Sequence, residues 1–334
     1  MSYLYVCDQG SVVGINANRI QVKNNKILLS SVPVEGLEVI EVFGNVQVTT
    51  QCLTECLKRG IMLLFYSTYG AYYGRLVSTN HVNVARQRRQ AELDSDEQLK
   101  IEFSKKIIDA KIRNQIVILR RYARHKSDEN MDHIDDMKRI LYKLQQADSI
   151  NKVMGYEGHA AKIYFLLLGK LIDPDFKFTK RSKRPPLDPF NSMISLGYSI
   201  ILNEIYGKLE AKGLNPYFAL MHKDREKHPT LASDLMEEWR VVLVDATVMS
   251  MINGHEISKE DFYYDHESPG VYLTQAGFKA FIRKMESKIR TQVRYLSYID
   301  YPVSFRRALD LQINQYTKML ETGDVNQYHP LIIR

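Results

Sequence analysis

Thiol chemistry has almost nothing to work with in this sequence. Only three of its 334 residues are cysteine, Cys7, Cys52 and Cys56. The odd count, with no C-x-x-C spacing, argues against both a disulfide framework and a zinc knuckle. Cys52 and Cys56 lie four apart on a predicted short helix and read as small buried hydrophobes, which fits a reducing compartment. Long apolar runs are missing as well. Stretches such as "YFLLLG" and "IMLLFY" fall far short of the roughly 20 residues that cross a bilayer. The opening "MSYLYVCDQG" lacks a basic region followed by an apolar stretch, so no secretory signal is expected. These absences predict a cytoplasmic protein without a membrane partner. Charge imbalance is small: 46 Lys and Arg against 39 Asp and Glu leave a formal +7, a modest hint of an anionic partner.

What is present is ordinary globular material, 45% hydrophobic and 25% charged, long enough for two domains. The character changes once along the chain. Up to about residue 79 the pattern is β: "SVVGINANRIQVKNNKILLSSVPV" alternates or runs in β-branched and apolar residues, with Asn24-Asn25 as a hairpin turn. One short helix, about 51–59, interrupts it. From residue 80 helical periodicity dominates, over about 82–93, 96–125, 132–147, 150–171, 190–212, 230–252, 273–294 and 302–321. Strands followed by a run of helices predict an α+β multidomain protein: a small N-terminal β-sandwich-like domain at 1–79, then a larger all-α domain at 80–334.

Charge follows the same division. Residues 1–80 hold 6 basic and 5 acidic side chains, a net +1, so +6 of the +7 belongs to the helical part. Two places are denser. "ARQRRQ" brings Arg86, Arg88 and Arg89 to the first helix of that part; taken alone, such a run reads as solvated surface. "FKFTKRSKRPP" brings Lys177, Lys180, Arg181, Lys183 and Arg184 with no acid between them, and Pro185-Pro186 marks it as a loop. With Phe176 and Phe178 interleaved, it is the better nucleic-acid candidate, because cations meet phosphates and aromatics meet bases.

The residues fit for chemistry lie elsewhere. In "HPTLASDLMEEWR" Asp234, Glu237 and Glu238 sit at the mouth of a helix that is then apolar almost all round, and therefore buried. Carboxylates there gain about 0.3–1 kcal/mol each from the helix dipole. That gain does not explain three together, since like charges raise one another's pKa unless a cation intervenes. In "SINKVMGYEGHAAKIYFLLLGKLI" Glu157 lies on an apolar stripe with Val153, Ala160, Ala161, Tyr164 and Leu168. Such a carboxylate is costly unless it binds a metal or an internal Lys or Arg. Gly155 and Gly158 beside it allow close approach of a backbone or a ligand. Glu157, His222 and Glu237 together form an oxygen-rich set with one imidazole, suited to Mg²⁺ or Mn²⁺ rather than structural zinc. Nothing in the sequence itself brings Glu157 to His222.

Four ordered blocks, "GYEGHAA", "RPPLDPFNSMISLGYSIILNEI", "GLNPYFALMH" and "HPTLASDLMEEWR", with "NVARQRRQ" before them, resemble the signature blocks of the CRISPR-associated adaptation integrases, the "Cas one" endonuclease family. The resemblance spans essentially the whole chain. It implies a homodimer whose N-terminal β domain serves dimerisation and partner contacts and whose helical domain is catalytic. It implies that Glu157, His222 and Glu237 are divalent-metal ligands, with Asp234 a supporting acid. The implied reaction is metal-dependent phosphodiester transfer, in which the 3′-hydroxyl of spacer DNA attacks a phosphate at the edge of a CRISPR repeat. The implied partners are double-stranded DNA, a small ferredoxin-like second adaptation protein ("Cas two") and, in some systems, the "Cas four" iron–sulfur nuclease. Tyr156 and Tyr198 are candidates for positioning DNA or for buried packing. Rival readings are a transposon-borne integrase with the same site, a non-catalytic DNA-binding scaffold with ion pairs around Glu157, and a metal-dependent hydrolase of small phosphate esters. The order of blocks weighs against the last.

Overall fold

The computed structural model describes residues 2–124, 131–265 and 269–334. The chain divides into two compact units, Met1–Val82 and Asn83–Arg334.

The first unit has eight strands: β1 (Ser2–Val6), β2 (Val12–Asn16), β3 (Arg19–Asn24), β4 (Ile27–Pro33), β5 (Leu37–Phe43), β6 (Gln47–Val48), β7 (Met62–Tyr66) and β8 (Tyr72–Leu76). They form two four-stranded sheets, ordered β1-β5-β7-β8 and β4-β3-β2-β6. Helix α1 (Thr50–Arg59) is the crossover that lets β5 and β7 pair in parallel. Thr49 caps its start and Gly60, at φ 69°, ends it. Val13, Ile20, Ile40 and Leu63 pack with Cys52 and Cys56 in the core, so these two thiols are indeed buried hydrophobes. The turn between β3 and β4 is centred on Asn25 and Lys26, both at positive φ, one residue later than the sequence pattern predicts. Strand β4 lies at a sheet edge and buries none of its side chains; Ile27, Leu28 and Leu29 are all exposed.

The second unit contains α2 (Val84–Leu93), α3 (Glu97–Ala123), α4 (Met131–Gln145), α5 (Ile150–Leu171), α6 (Pro189–Ala211), α7 (Thr230–Trp239), α8 (Ala246–Asn253), α9 (Gln275–Arg290) and α10 (Phe305–Thr322). Most begin where a short polar side chain accepts a backbone N–H of the first turn: Asn83, Asp96, Ser149, Asp188, Thr274 and Ser304. Each such cap stabilises its helix by about 1 kcal/mol. The unit is mostly helical rather than wholly so. Strands β9 (Phe262–Tyr264) and β10 (Val271–Leu273) form an antiparallel pair that overlaps the start expected for the 273–294 helix. Among the described residues no helix is long and apolar enough to cross a membrane.

The expected helix at 230–252 departs most from the sequence reading. A π-helical turn, Arg240–Asp245, separates α7 from α8. Residues 241–244 are all buried, so an apolar pattern closed on every side carries no phase from which the altered winding is readable. Alpha-helical α6 comes close to this turn because of Gly197: a Cβ there would lie 2.4 Å from Val244 Cγ1.

Helix α3 packs against α4, α5 and α7. The C-terminal segment is held to the same core by a buried carboxylate. Glu238 accepts hydrogen bonds from Tyr328 Oη (2.6 Å), Leu331 N (2.5 Å) and Gln312 Nε2 (3.0 Å), and Asn114 of α3 accepts from Ile333 N (2.9 Å).

Candidate active site

Helix α3 buries a row that includes Ile107, Ile108 and Ile112, and Lys111 falls within it at 7% exposure. An ammonium there is tolerable only if it is paired. Its partners come from two other helices. Lys111 Nζ lies 2.5 Å from Glu157 Oε1 on α5 and 2.6 Å from Glu237 Oε2 on α7. Burial alone would discharge the lysine, but Glu237 and Glu157 outweigh it and hold the ammonium above the ordinary lysine range. Burial likewise works to raise Glu237, yet Arg240 and then Lys111 hold its carboxyl down to about 2. Arg240 Nε is 3.0 Å from Glu237 Oε1, an ion pair that is not aligned as a hydrogen bond, so among the described residues this buried Nε has no hydrogen-bond acceptor.

The three acids at the mouth of α7 do not form one cluster. Asp234 is fully buried and turns toward the preceding loop. It accepts from the backbone N–H groups of Leu220, Met221 (both 2.9 Å) and His222 (3.2 Å), and its Oδ1 lies 2.5 Å from His222 Nδ1. Burial depresses the imidazole, but Asp234 outweighs burial and raises it. With Nδ1 donating to Asp234, the His222 Nε2 is the ring nitrogen left for a ligand. Glu237 turns to Lys111 and Arg240. Glu238 faces the opposite way, toward the C-terminal segment. His228 is tied to Ser233 (2.8 Å), in keeping with a loop role.

The π turn brings Arg240 and Asp245, five residues apart, to the same neighbour. The Arg240 guanidinium lies 4.7 Å from the Tyr198 ring centroid, and Tyr198 Oη donates to Asp245 Oδ1 at 2.6 Å. Tyr164 Oη donates to the other oxygen at 3.0 Å. Arg181 also lies over the Tyr198 ring, at 5.5 Å. Burial raises the Asp245 carboxyl to about 6, against the two tyrosine hydrogen bonds. Tyr198 therefore packs and hydrogen-bonds within the protein.

The basic loop separates into two kinds of side chain. Lys177, Lys180, Lys183 and Arg184 are exposed. Arg181 turns inward and donates to Asn191 Oδ1 (2.8 Å) and Ser195 Oγ (3.0 Å), so it orders the loop. Desolvation, then repulsion from Arg240 and Arg181, pushes the Lys183 ammonium below the usual lysine range. Phe176 and Phe178 are buried, Phe178 stacked on Phe190 with centroids 4.1 Å apart. That overturns the expectation that they meet bases: both rings are used in the core. Arg86 pairs with Glu321 (3.0 Å) and donates to Lys212 O (2.6 Å), and Arg89 donates to Leu320 O (3.2 Å). Both tie α2 to the core of the unit, while Arg88 is exposed. At Gly155 and Gly158 an added Cβ would meet nothing within 4 Å, so among the described residues no backbone approaches either glycine.

Sequence reasoning passed over Lys111, Arg240 and Asp245. For Lys111 the signal existed: a charge on an apolar helical stripe, the argument applied to Glu157. For Arg240 and Asp245 there was none, because their alignment depends on the π turn.

Among the described residues no three His, Cys, Asp or Glu side chains are arranged as a metal cage. The two carboxylates instead converge on one ammonium. The donor chemistry nevertheless fits a divalent cation. A buried and a half-buried carboxylate already share a positive centre, and an oriented imidazole lies close enough to Glu237 to lower its pKa.

Residues 4–287 match the family model described as CRISPR associated protein Cas1. The CRISPR-associated endonuclease Cas1 of Mycobacterium tuberculosis (strain CDC 1551 / Oshkosh) is 35% identical over 324 residues, covering 97% of this chain and 95% of that protein. Two solved structures share the fold. A Cas6-RT-Cas1–Cas2 complex aligns with TM-score 0.84 at 22% identity, over 98% of this chain and 36% of the other. A casposase bound to integration product aligns with TM-score 0.83 at 18% identity, over 97% and 92%.

Asp245 generates a test of the buried network. Between the ordinary aspartate value of 3.8 and about 6 only the folded state keeps the proton, so its contribution to stability is lost as pH rises through that window. Asp245→Asn cannot ionise. In urea unfolding it is expected to gain on the wild type by on the order of 3 kcal/mol between about pH 4 and about pH 7. A difference that does not change with pH would mean the carboxyl is charged in the native protein throughout.

Proposed function

The chain belongs to the CRISPR-associated Cas1 family, and we propose that it is an endonuclease and integrase that joins 3′-hydroxyl ends of spacer DNA to phosphodiesters at CRISPR repeat boundaries. The reaction is assigned to Glu157, His222 and Glu237. The observation that carries this reading is the convergence of Glu157 and Glu237, from separate helices, on one positive centre beside an imidazole oriented by Asp234.

Glu157, His222 and Glu237 would hold Mg²⁺ or Mn²⁺, which supplies Lewis-acid polarisation of the phosphate and favours loss of the attacking hydroxyl's proton. The chain's own residues do the rest. Asp234 fixes the His222 tautomer through Nδ1. Arg240, ion-paired with Glu237, adds fixed positive charge beside the carboxylates. A 3′-hydroxyl as nucleophile gives strand transfer; water in the same position gives cleavage. Neither needs a covalent protein intermediate.

The partners in this reading are donor and repeat DNA, a second copy of the chain, a Cas2-type bridging protein and, for end trimming, a Cas4-type nuclease. A homodimer is supported by strand β4, whose exposed Ile27, Leu28 and Leu29 make an apolar edge of the kind monomers avoid. The exposed lysines of the 177–184 loop suit phosphate contact.

Strand transfer of a 3′-hydroxyl duplex into a repeat-bearing plasmid, with the Cas2-type partner, is expected to need Mn²⁺ or Mg²⁺ and to vanish in Glu157→Ala. Product that survives both EDTA and the substitution would refute the site. Equal use of repeat-free plasmid would favour the transposon-borne alternative. Lys177→Gln with Lys180→Gln is expected to flatten the log–log salt dependence of DNA binding by about 0.9 per lost contact; an unchanged slope removes the loop from the DNA path. Leu28→Lys is expected to halve the sedimenting mass toward one 38.8 kDa chain, whereas a persistent dimer would take β4 out of the interface.

A further inference from the structure

We propose that Lys111 is a built-in counter-ion of the active site: it holds Glu157 and Glu237 together before the divalent ion binds, and it must withdraw for the ion to enter. This rests on the assignment of Glu157, His222 and Glu237 as the ion's ligands.

The geometry leaves no room for both cations. Lys111 Nζ stands at the point shared by Glu157 Oε1 and Glu237 Oε2, 2.5 and 2.6 Å away. The other oxygen of Glu237 faces Arg240 Nε at 3.0 Å. Glu237 therefore has both oxygens engaged by cations from its own chain. A dication bound by these carboxylates would take the volume that Nζ fills and would repel it.

The carboxylates in turn require a positive charge. Glu237 is 5% exposed and the Glu157 side chain 19%, so without a cation between them they would face each other poorly solvated. Lysine meets the requirement provisionally where a metal meets it in the reaction. It is suited to leave, because its ammonium sits on a flexible four-carbon stem rather than on a rigid fork such as that of arginine. The Glu157 side chain is 19% exposed against 7% for Glu237, so solvent reaches the pair from the Glu157 side. Metal entry and lysine withdrawal then form one equilibrium. The apparent metal affinity is reduced by the fraction of molecules in which the lysine has already left, and the metal-free protein keeps an ordered site.

Mn²⁺ binding, followed by the loss of the free-ion signal in electron paramagnetic resonance, and thermal unfolding without metal test this on the full-length wild type, Lys111→Met and Glu157→Gln. Lys111→Met is expected to bind Mn²⁺ about tenfold more tightly or better, to unfold at lower temperature without metal, and to gain more from Mn²⁺ than the wild type does. Unchanged or weaker binding by folded Lys111→Met overturns the proposal. Wild-type protein gives a second readout if that variant fails to fold. Acylation of Lys111, mapped by mass spectrometry, should accelerate severalfold when Mn²⁺ saturates the protein, and unchanged or slower labelling is contrary to the proposal. Glu157→Gln separates the two layers. If it binds Mn²⁺ as the wild type does, the ligand assignment itself fails. If it loses Mn²⁺ while Lys111→Met is unaltered, the ligands stand and the counter-ion role falls.

Discussion

The second unit is organised around one electrostatic constraint, the lysine of α3 that stands between a carboxylate of α5 and a carboxylate of α7. Each of these charges would be unacceptable alone on the buried face of its helix. Together they convert a desolvation cost into a fixed point where three helices meet. Burying an ion pair is a poor route to stability compared with burying leucine. Its presence here is better explained by the chemistry that two converging carboxylates permit. Arg240 and then Lys111 keep Glu237 ionised down to about pH 2, so this carboxylate is already charged at neutral pH.

Around that point the protein divides similar side chains among different tasks. Asp234, Glu237 and Glu238 are neighbours in sequence, yet helical geometry sends them to three surroundings. Asp234 collects three backbone N–H groups and an imidazole and so shapes the 220–222 loop. Glu237 meets cations. Glu238 gathers Tyr328, Gln312 and the Leu331 amide and closes the C-terminal segment onto α3. Three like charges at one helix mouth are tolerated because they do not share a space.

The basic residues divide in the same way. Arg181 and Arg240 are drawn inward by the Tyr198 ring and by the charge of Asp245, whereas Lys177, Lys180, Lys183 and Arg184 remain outside. Arginine can be kept inside because its weakly hydrated planar group stacks on an aromatic face. Arg86 and Arg89 join α2 to carbonyls and an acid of their own unit. A count of positive charge in sequence therefore overstates what is free to meet a phosphate.

Sequence alone determined the β-then-helix order, the positions of most helices, the buried state of Cys52 and Cys56, and the suspicion attached to Glu157, because periodicity and capping are local properties that a linear pattern records. The family was legible too, since its ordered blocks survive as text. What sequence did not determine was which charges meet. Lys111 and Glu157 are separated by 46 residues and Lys111 and Glu237 by 126, and only helix packing brings them within 3 Å. The π turn at Arg240–Asp245 was equally invisible, because residues buried on every side give no phase to read. The direction in which each phenylalanine and arginine of the basic loop points was decided by the core it found in the folded unit, a tertiary competition between stacking, desolvation and charge that no local pattern encodes.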